Sequence, residues 1–129
     1  MRPNIDFLKH SDIKTERGIL VNEFLKTNIE NIYAIGDCTQ QIKPLEKRRP
    51  FEQIWYTGRI MGETVAKSIC GKETAYKPGI WFNSAKFFDV EYQTYGWVYN
   101  ILGEDEDEIY WEDEKRNMAI RLIFQKSNG

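Results

Sequence analysis

The sequence predicts an α+β fold, and three patterns along its 129 residues carry that prediction. Two short β-branched runs at residues 19–21 and 32–35 are typical of buried strands. A stripe of apolar residues spaced three and four apart follows over residues 50–70 and predicts one long helix. The last third of the chain alternates apolar and polar residues, which indicates an antiparallel sheet.

Length and composition limit the classes of protein that fit. With 41% hydrophobic residues, a chain of 129 residues can bury one core of ordinary domain size. Eighteen Lys and Arg against 20 Asp and Glu give a net charge of -2, which argues against nucleic-acid and basic membrane surfaces. The chain has two cysteines, Cys38 and Cys70, no C-x-x-C and no apolar N-terminal segment. These features favour a reduced, cytoplasmic protein without a local redox or zinc pair.

The two β-branched runs are bounded by residues that end strands. Gly18 and Asn22 flank the first run, and Gly36 follows the second. A glycine at the end of a strand lets the backbone approach a cofactor closely and adopt unusual dihedral angles. Asp37 then presents carboxylate oxygens to hydroxyl groups, although a Gly-Asp step after a strand is also a common turn or helix cap. Residues 39–47 are mainly polar and predict a loop.

The predicted helix begins near Pro50, a favourable first-turn residue, and ends before Gly71. Gly58 and Gly62 lie one turn apart on its apolar stripe, and each costs about 1 kcal/mol relative to alanine. Their position indicates either a strand or cofactor that passes close to the helix, or simple packing of the helix on a sheet. Trp55 is expected to pack in the core rather than to stack on a ligand. The stripe consists of Phe51, Ile54, Trp55, Gly58, Met61, Gly62, Val65 and Ile69.

The C-terminal segment holds most of the aromatic residues and predicts three strands. They cover residues 92–101, 108–113 and 118–125, with a hairpin turn at residues 114–117. In the last strand four apolar side chains share one face, which we expect to be core. The aromatic density fits a sheet core or a ligand surface, and the acidic run 104–108 fits a solvated loop. The four side chains are Met118, Ile120, Leu122 and Phe124.

A family resemblance rests on two strings, Gly18-Ile-Leu-Val-Asn22 and Thr27-Asn-Ile-Glu-Asn-Ile-Tyr-Ala-Ile-Gly-Asp-Cys38. Together they resemble the second flavin-binding motif of the pyridine nucleotide-linked FAD-dependent oxidoreductases. The resemblance implies that Asp37 hydrogen-bonds the ribityl chain of FAD and that the helix after it points its N-terminus at the flavin ring. The string Arg2-Pro3-Asn4 is similar to the family's connector from the NAD domain into the FAD domain.

A further string, Arg48-Arg-Pro-Phe-Glu-Gln-Ile-Trp55, is similar to the segment after the Gly-Asp motif in ferredoxin-reductase and apoptosis-inducing-factor-like flavoproteins. In those proteins the residues around the matching Glu lie beside the isoalloxazine ring. No catalytic residue or metal site is predicted, since His10 has no acidic or cysteine neighbour at a suitable spacing. The candidate cofactor-binding residues are Gly36, Asp37, Cys38, Glu52, Gln53 and Trp55.

No G-x-G-x-x-G string, which in this family holds the FAD pyrophosphate and NAD(P)H, occurs in the sequence. We therefore expect the C-terminal third of a reductase, in which residues 1–71 close a FAD-binding domain and residues 72–129 form an antiparallel interface or dimerisation module. The resemblance implies a parent that passes hydride or electrons from NAD(P)H through FAD to a small or protein acceptor. FAD binding by this chain alone is expected to be weak or absent.

Other interpretations remain open at this point. The chain also fits a non-catalytic dimerisation or docking module of a flavoprotein complex, or a protein that binds another small aromatic ligand. Disulfide reduction fits less well, because the family's His-Pro and His-Glu features and a local cysteine pair are absent from the sequence. The expected partner is a second copy of the chain or an upstream flavoprotein segment that covers its apolar strands, with no nucleic acid and no membrane.

Overall fold

The computed structural model describes residues 2–45 and 48–126 and confirms the mixed α+β class. Among these residues it contains one α-helix, two short 3₁₀ helices and six strands that pair in three two-stranded sheets. The chain divides into two compact units, Met1–Asn83 and Ser84–Gly129. The division of the sequence at residue 71 into two domains stays a prediction.

The first sheet is a short parallel pair. Strand β1 (Ile19–Val21) lies where the sequence predicts it, and it pairs with β2 (Thr39–Gln41). Strand β2 corrects the prediction that residues 39–47 form a loop, a range in which residues 46 and 47 lie outside the described part. Its outer residues are polar but buried, so the polar composition of this segment does not indicate a strand. The strand forms because β1 supplies its hydrogen-bonding partner.

The predicted strand at residues 32–35 is wrong. Its backbone groups close turns instead: the amide of Ile32 donates to the carbonyl of Ile29, and the amide of Thr27 donates to the carbonyl of Ile32. Asn31 sits between them with φ of +62°, a left-handed conformation that interrupts an extended run. Within the described chain this region joins a ladder only through an isolated bridge between Lys26 and Tyr33.

Helix α1 (Trp55–Ile69) confirms the predicted helix but begins five residues after Pro50. Ile54 is still extended, with φ of -136° and ψ of 137°, so residues 50–54 lead into the helix rather than form its first turn. At the other end Gly71 adopts φ of +85°, and the amides of Gly71 and Lys72 donate to the carbonyls of Ser68 and Lys67. This is a Schellman motif, which satisfies the last carbonyls of the helix.

The hydrophobic core of the first unit forms between α1, β1 and the turns that connect them. Met61 and Val65 supply the inner face of the helix, and Leu25 and Val21 are fully enclosed. In the described part of the chain no helix is long and apolar enough to cross a membrane. The core residues are Ile19, Val21, Leu25, Ala34, Met61, Val65 and Tyr76.

Glycines allow two close approaches in this unit. A Cβ added at Gly18 would lie 2.7 Å from the carbonyl oxygen of Cys38 and 2.6 Å from the Phe51 ring, so this position accepts only glycine. A Cβ added at Gly58 would lie 3.6 Å from the Cα of Gly36, which is an ordinary van der Waals distance. The passing segment predicted from the helix glycines is therefore the chain itself around Gly36.

The last four strands of the described chain pair with their neighbours in sequence. Strand β3 (Phe82–Phe87) precedes β4 (Val90–Tyr95), its hydrogen-bonded neighbour, and this pair replaces the single strand predicted for residues 92–101. Strands β5 (Glu106–Asp113) and β6 (Met118–Gln125) form the predicted hairpin, with the turn at residues 114–117.

One face of the β5–β6 hairpin is apolar, but it is not a core. Residues opposite each other in an antiparallel pair share a face. Ile109 lies opposite Leu122 and Trp111 opposite Ile120, and all four side chains are 46% to 56% exposed. The prediction that this face is buried is wrong for this chain, because a two-stranded ribbon has no second layer of its own to bury a face.

We predict opposite effects for alanine at two glycines. Gly58→Ala should raise the free energy of unfolding by up to about 1 kcal/mol, because helix propensity improves and the new methyl group meets no clash. Gly18→Ala should lower it by about 1 to 3 kcal/mol, because the backbone at Cys38 must move. Urea unfolding of both variants measures the difference, and equal destabilisation by both would contradict the helix packing described above.

Candidate functional site

The candidate site is built around a tight turn between the core and β2. Residues Gly36–Cys38 form one turn of 3₁₀ helix, closed by the amide of Thr39, which donates to the carbonyl of Gly36. Gly36 has φ of +76°, whereas the space around its missing Cβ is open. The glycine is therefore required by its left-handed backbone, which costs other residues about 1 to 2 kcal/mol.

Helix α1 packs against this turn and fixes its position. The amide of Gly36 donates to the Sδ of Met61 at 3.3 Å, and Met61 is buried in the core. Gly58 lies against the Cα of Gly36 one helical turn earlier. Core packing of the helix thus fixes the position of the turn, and Met61 is a site-shaping residue that the sequence revealed only as part of an apolar stripe.

Asp37 is an exposed residue of this turn. Its side chain is exposed, and no described residue donates a hydrogen bond to its carboxylate, which is therefore available as an acceptor. The backbone carbonyl of Asp37 accepts a hydrogen bond from the side-chain amide of Gln53 at 3.3 Å. The structure thus brings together two of the predicted site residues, Asp37 and Gln53, which are 16 positions apart.

Trp55 opens α1 and is 68% exposed, which corrects the prediction that it packs in the core. Its ring meets Tyr56 edge to face at 5.2 Å, and the guanidinium of Arg59 lies 5.8 Å from its ring centre. Cys38 is half-buried, and its thiol donates weakly to the carbonyl of Ile35 at 3.6 Å. The indole is therefore largely exposed to solvent, whereas the thiol faces the carbonyl of the residue before its own turn.

Glu52 is a predicted site residue whose side chain is buried in an ion pair. Its side chain is only 5% exposed, and its Oε2 lies 2.5 Å from Nη2 of Arg48, which is 11% exposed. Burial raises the pKa of the Glu52 carboxyl, and the positive charge of Arg48 opposes that shift. The spacing of four residues brings side chains together on a helix, and residues 48–52 are not helical, so no sequence signal predicted this pair.

Tyr76 closes the same buried region and was not predicted from the sequence. It is 5% exposed, and burial, assisted by the charge of Glu52, raises the pKa of Tyr76 to about 12. Its hydroxyl has no hydrogen bond of standard geometry to any residue in the described ranges. No group of three or more His, Cys, Asp or Glu side chains that could hold a metal ion exists among the described residues.

Comparison with known proteins confirms the family predicted from the sequence. Residues 1–62 match the sequence profile of the pyridine nucleotide-disulphide oxidoreductase family. The chain is 58% identical over 40 residues to a rubredoxin-NAD(+) reductase of Acinetobacter baylyi, which covers 31% of this chain and 10% of that protein. It is 30% identical over 131 residues to an NAD(P)H sulfur oxidoreductase (CoA-dependent) of Pyrococcus furiosus, which covers 99% of this chain and 27% of the relative.

A solved structure extends the likeness to the three-dimensional fold. The crystal structure of NADH:rubredoxin oxidoreductase from Clostridium acetobutylicum is 26% identical and superposes with a TM-score of 0.52, over 95% of this chain and 33% of that one. The chain therefore spans about a third of this structure. Of the two curated relatives described above it spans 10% and 27%.

We predict that Tyr76 makes the protein less stable at alkaline pH. The unfolded tyrosine has a pKa of 10.0 and the folded one a pKa of about 12, so between these values the folded state binds more protons. Stability should therefore fall as pH rises, by at most about 1.4 kcal/mol per pH unit. Urea unfolding at several alkaline pH values should show a smaller fall for Tyr76→Phe and an unchanged one for the exposed Tyr99→Phe. The same slope in all three proteins would contradict the prediction.

Proposed function

Because residues 1–62 belong to the pyridine nucleotide-disulphide oxidoreductase family, we propose that this chain forms the closing part of the FAD-binding domain of an NAD(P)H-dependent oxidoreductase. The parent enzyme passes hydride or electrons through FAD to a small or protein acceptor in the cytoplasm. The observation that carries the proposal is the Gly36–Cys38 turn, which presents the Asp37 carboxylate to solvent beside the start of α1.

The residues of the turn fit a flavin. The ribityl chain of FAD carries hydroxyl groups, and an exposed carboxylate without a protein donor is a strong acceptor for them. Ile54, the residue before α1, has an apolar side chain and therefore caps no backbone amide of the helix. Helix N-termini favour electron-rich groups. FAD supplies the hydride chemistry when it is bound, and the protein supplies position and electrostatics.

Five of the six predicted site residues receive a role in flavin binding under this proposal. Asp37 accepts hydrogen bonds from the ribityl hydroxyls, and Gly36 and Cys38 supply the backbone of the turn that carries it. Gln53 holds the turn through the carbonyl of Asp37. The exposed indole of Trp55 offers an aromatic surface beside the same turn.

The chain alone should bind FAD weakly. In dinucleotide-binding domains a Gly-rich turn and a helix N-terminus hold the pyrophosphate, and no G-x-G-x-x-G string occurs in this sequence. Each 1.4 kcal/mol that is lost weakens binding about tenfold. Without the pyrophosphate site we expect a dissociation constant on the order of 10 to 1,000 μM, several tenfold steps above tight cofactor binding.

We further propose that the chain associates through the apolar face of the β5–β6 hairpin. Ile109, Trp111, Ile120 and Leu122 are exposed on that face, whereas the opposite face carries the Arg121–Glu108 ion pair. A two-fold axis would pair this face with itself, which is the commonest arrangement in homo-oligomers. An upstream flavoprotein segment is the other partner that would cover exposed apolar surface.

The FAD site is tested by titrating the chain with FAD while flavin fluorescence reports binding and light scattering reports mass. We expect saturable binding, and Asp37→Ala should weaken it by about 1 to 3 kcal/mol because the hydrogen bonds to the charged acceptor are lost. Asp89→Ala, in the turn between β3 and β4, is the matched control and should leave the dissociation constant unchanged. Equal affinity for the wild type and Asp37→Ala would reject the role of Asp37. Absence of saturation would reject FAD binding by this chain alone.

Association is tested with a charge placed on either face of β6. Ile120→Lys introduces an ammonium on the apolar face, and Ala119→Lys introduces the same group on the opposite face. We expect the wild type and Ala119→Lys to show a mass above the 15.3 kDa monomer that rises with concentration. Ile120→Lys should shift the equilibrium to the monomer, because burying an unpaired charge costs several kcal/mol. A monomeric wild type would reject association between copies of this chain.

A further inference from the structure

We propose that Glu52 is a positioning residue, which with Arg48 fixes the segment that leads into α1 and thereby holds Gln53 and Asp37 in place, instead of contacting a bound flavin. The resemblance to related flavoproteins predicts a direct contact for this position. The contacts of the side chain support a different role. The part of this inference that concerns FAD rests on the proposed function, whereas the anchoring part does not.

The first observation is the direction of the carboxylate. Glu52 and Arg48 form an ion pair with both side chains about nine-tenths buried or more. Arg48 also donates from Nη1 to the carbonyl of Gly79 at 3.4 Å, beyond the end of α1. The pair therefore ties the segment before the helix to the segment after it, and little of the carboxylate surface is left for a ligand.

The second observation is a group of buried polar atoms around one small cavity. Gln41, Arg48, Glu52 and Tyr76 line a cavity of about 10 Å³, which has room for one water molecule. One polar atom of each has no hydrogen-bond partner among the residues described, and a single water can form up to four hydrogen bonds. These atoms are Gln41 Nε2, Arg48 Nε, Glu52 Oε1 and the Tyr76 hydroxyl oxygen. The cavity therefore lies where β2, the segment before α1 and the segment after it meet.

The third observation is that three consecutive side chains contact three different parts of the first unit. Phe51 packs beside Gly18 and lies under the guanidinium of Arg17. Glu52 reaches inward to Arg48, and Gln53 donates to the carbonyl of Asp37. The segment has no regular secondary structure, and besides these side chains the amide of Gln41 holds it by donating to the carbonyl of Pro50 at 3.0 Å. Release of Glu52 would free the backbone that places Gln53.

Arg48, Arg49 and Tyr76 are the titratable groups that face Glu52. Arg48 pairs with it, the backbone amide of Arg49 donates to it, and Tyr76 lies across the cavity. Since burial raises its pKa above 4.5, the folded state keeps the Glu52 proton to a higher pH than the unfolded state does. The contribution of Glu52 to stability therefore falls as pH rises through the raised pKa. A glutamine, which cannot ionise, should remove this dependence.

The test compares Arg48→Met, Glu52→Gln and their double variant with Arg59→Met, Glu63→Gln and their double variant. The second set disrupts an exposed pair of the same spacing on α1. Arg48→Met should lower the urea midpoint near neutral pH because it leaves a buried carboxylate unpaired, and Glu52→Gln should restore most of that loss in the double variant. The exposed pair should show no such rescue. Additive effects of Arg48→Met and Glu52→Gln on the urea midpoint would contradict the anchoring role of the pair.

A second readout separates positioning from contact. Arg48→Met should shift the NMR signal of the Gln53 side-chain amide and weaken FAD binding at least threefold. Glu52→Gln should leave both close to the wild type, because the glutamine amide oxygen can still accept the hydrogen bond from Arg48. If Glu52 contacts the flavin, the order reverses: Glu52→Gln alters FAD affinity and the absorption spectrum of the bound flavin, and Arg48→Met does not. That result would overturn the proposal. If the wild type binds no FAD, the proposed function fails, and the midpoints and the Gln53 signal still decide the anchoring role.

Discussion

The contact between helix α1 and the Gly36 turn is the constraint on which the first unit depends. Gly58 brings the helix against the turn, and the Sδ of Met61 accepts the Gly36 amide while the rest of the Met61 side chain fills the core. The same helix face therefore buries apolar surface and fixes a loop. A side chain that moved α1 away from this turn would cost core packing and would also displace Asp37.

The features that could be predicted from the sequence are those set by local chemistry. β1 follows from a β-branched run, the end of α1 from Gly71, and the Gly36–Asp37 turn from a residue that can adopt positive φ. Strand β2 was missed because its Thr39 and Gln41 are polar, and only the pairing with β1, about 20 residues away in the chain, makes them a strand. The run at residues 32–35 was misassigned for the converse reason, since apolar residues there close a turn.

In the second unit, the alternation of apolar and polar residues predicts strands but not their burial. The alternation in β6 correctly predicts the strand and the residues that share a face. It does not predict whether that face is covered, because burial depends on a second layer, and a two-stranded ribbon contains none. Trp111 and Ile120 therefore lie on a face that has the alternating sequence of a buried strand but is exposed to solvent. This difference makes the hairpin face a candidate interface, although its sequence is also typical of an ordinary core.

Glu52 illustrates the corresponding limit of a motif. A family resemblance aligns a residue type with a role, but the direction of a side chain depends on its nearest partners. Arg48 precedes Glu52 by four residues and is itself enclosed, so the two charges remain buried together because each is the other's partner. Gln53, the next residue along the chain, is then left facing Asp37. A buried ion pair beside the Gly36–Cys38 turn can thus determine which of two neighbouring residues contacts that turn, without changing the motif that identifies the family.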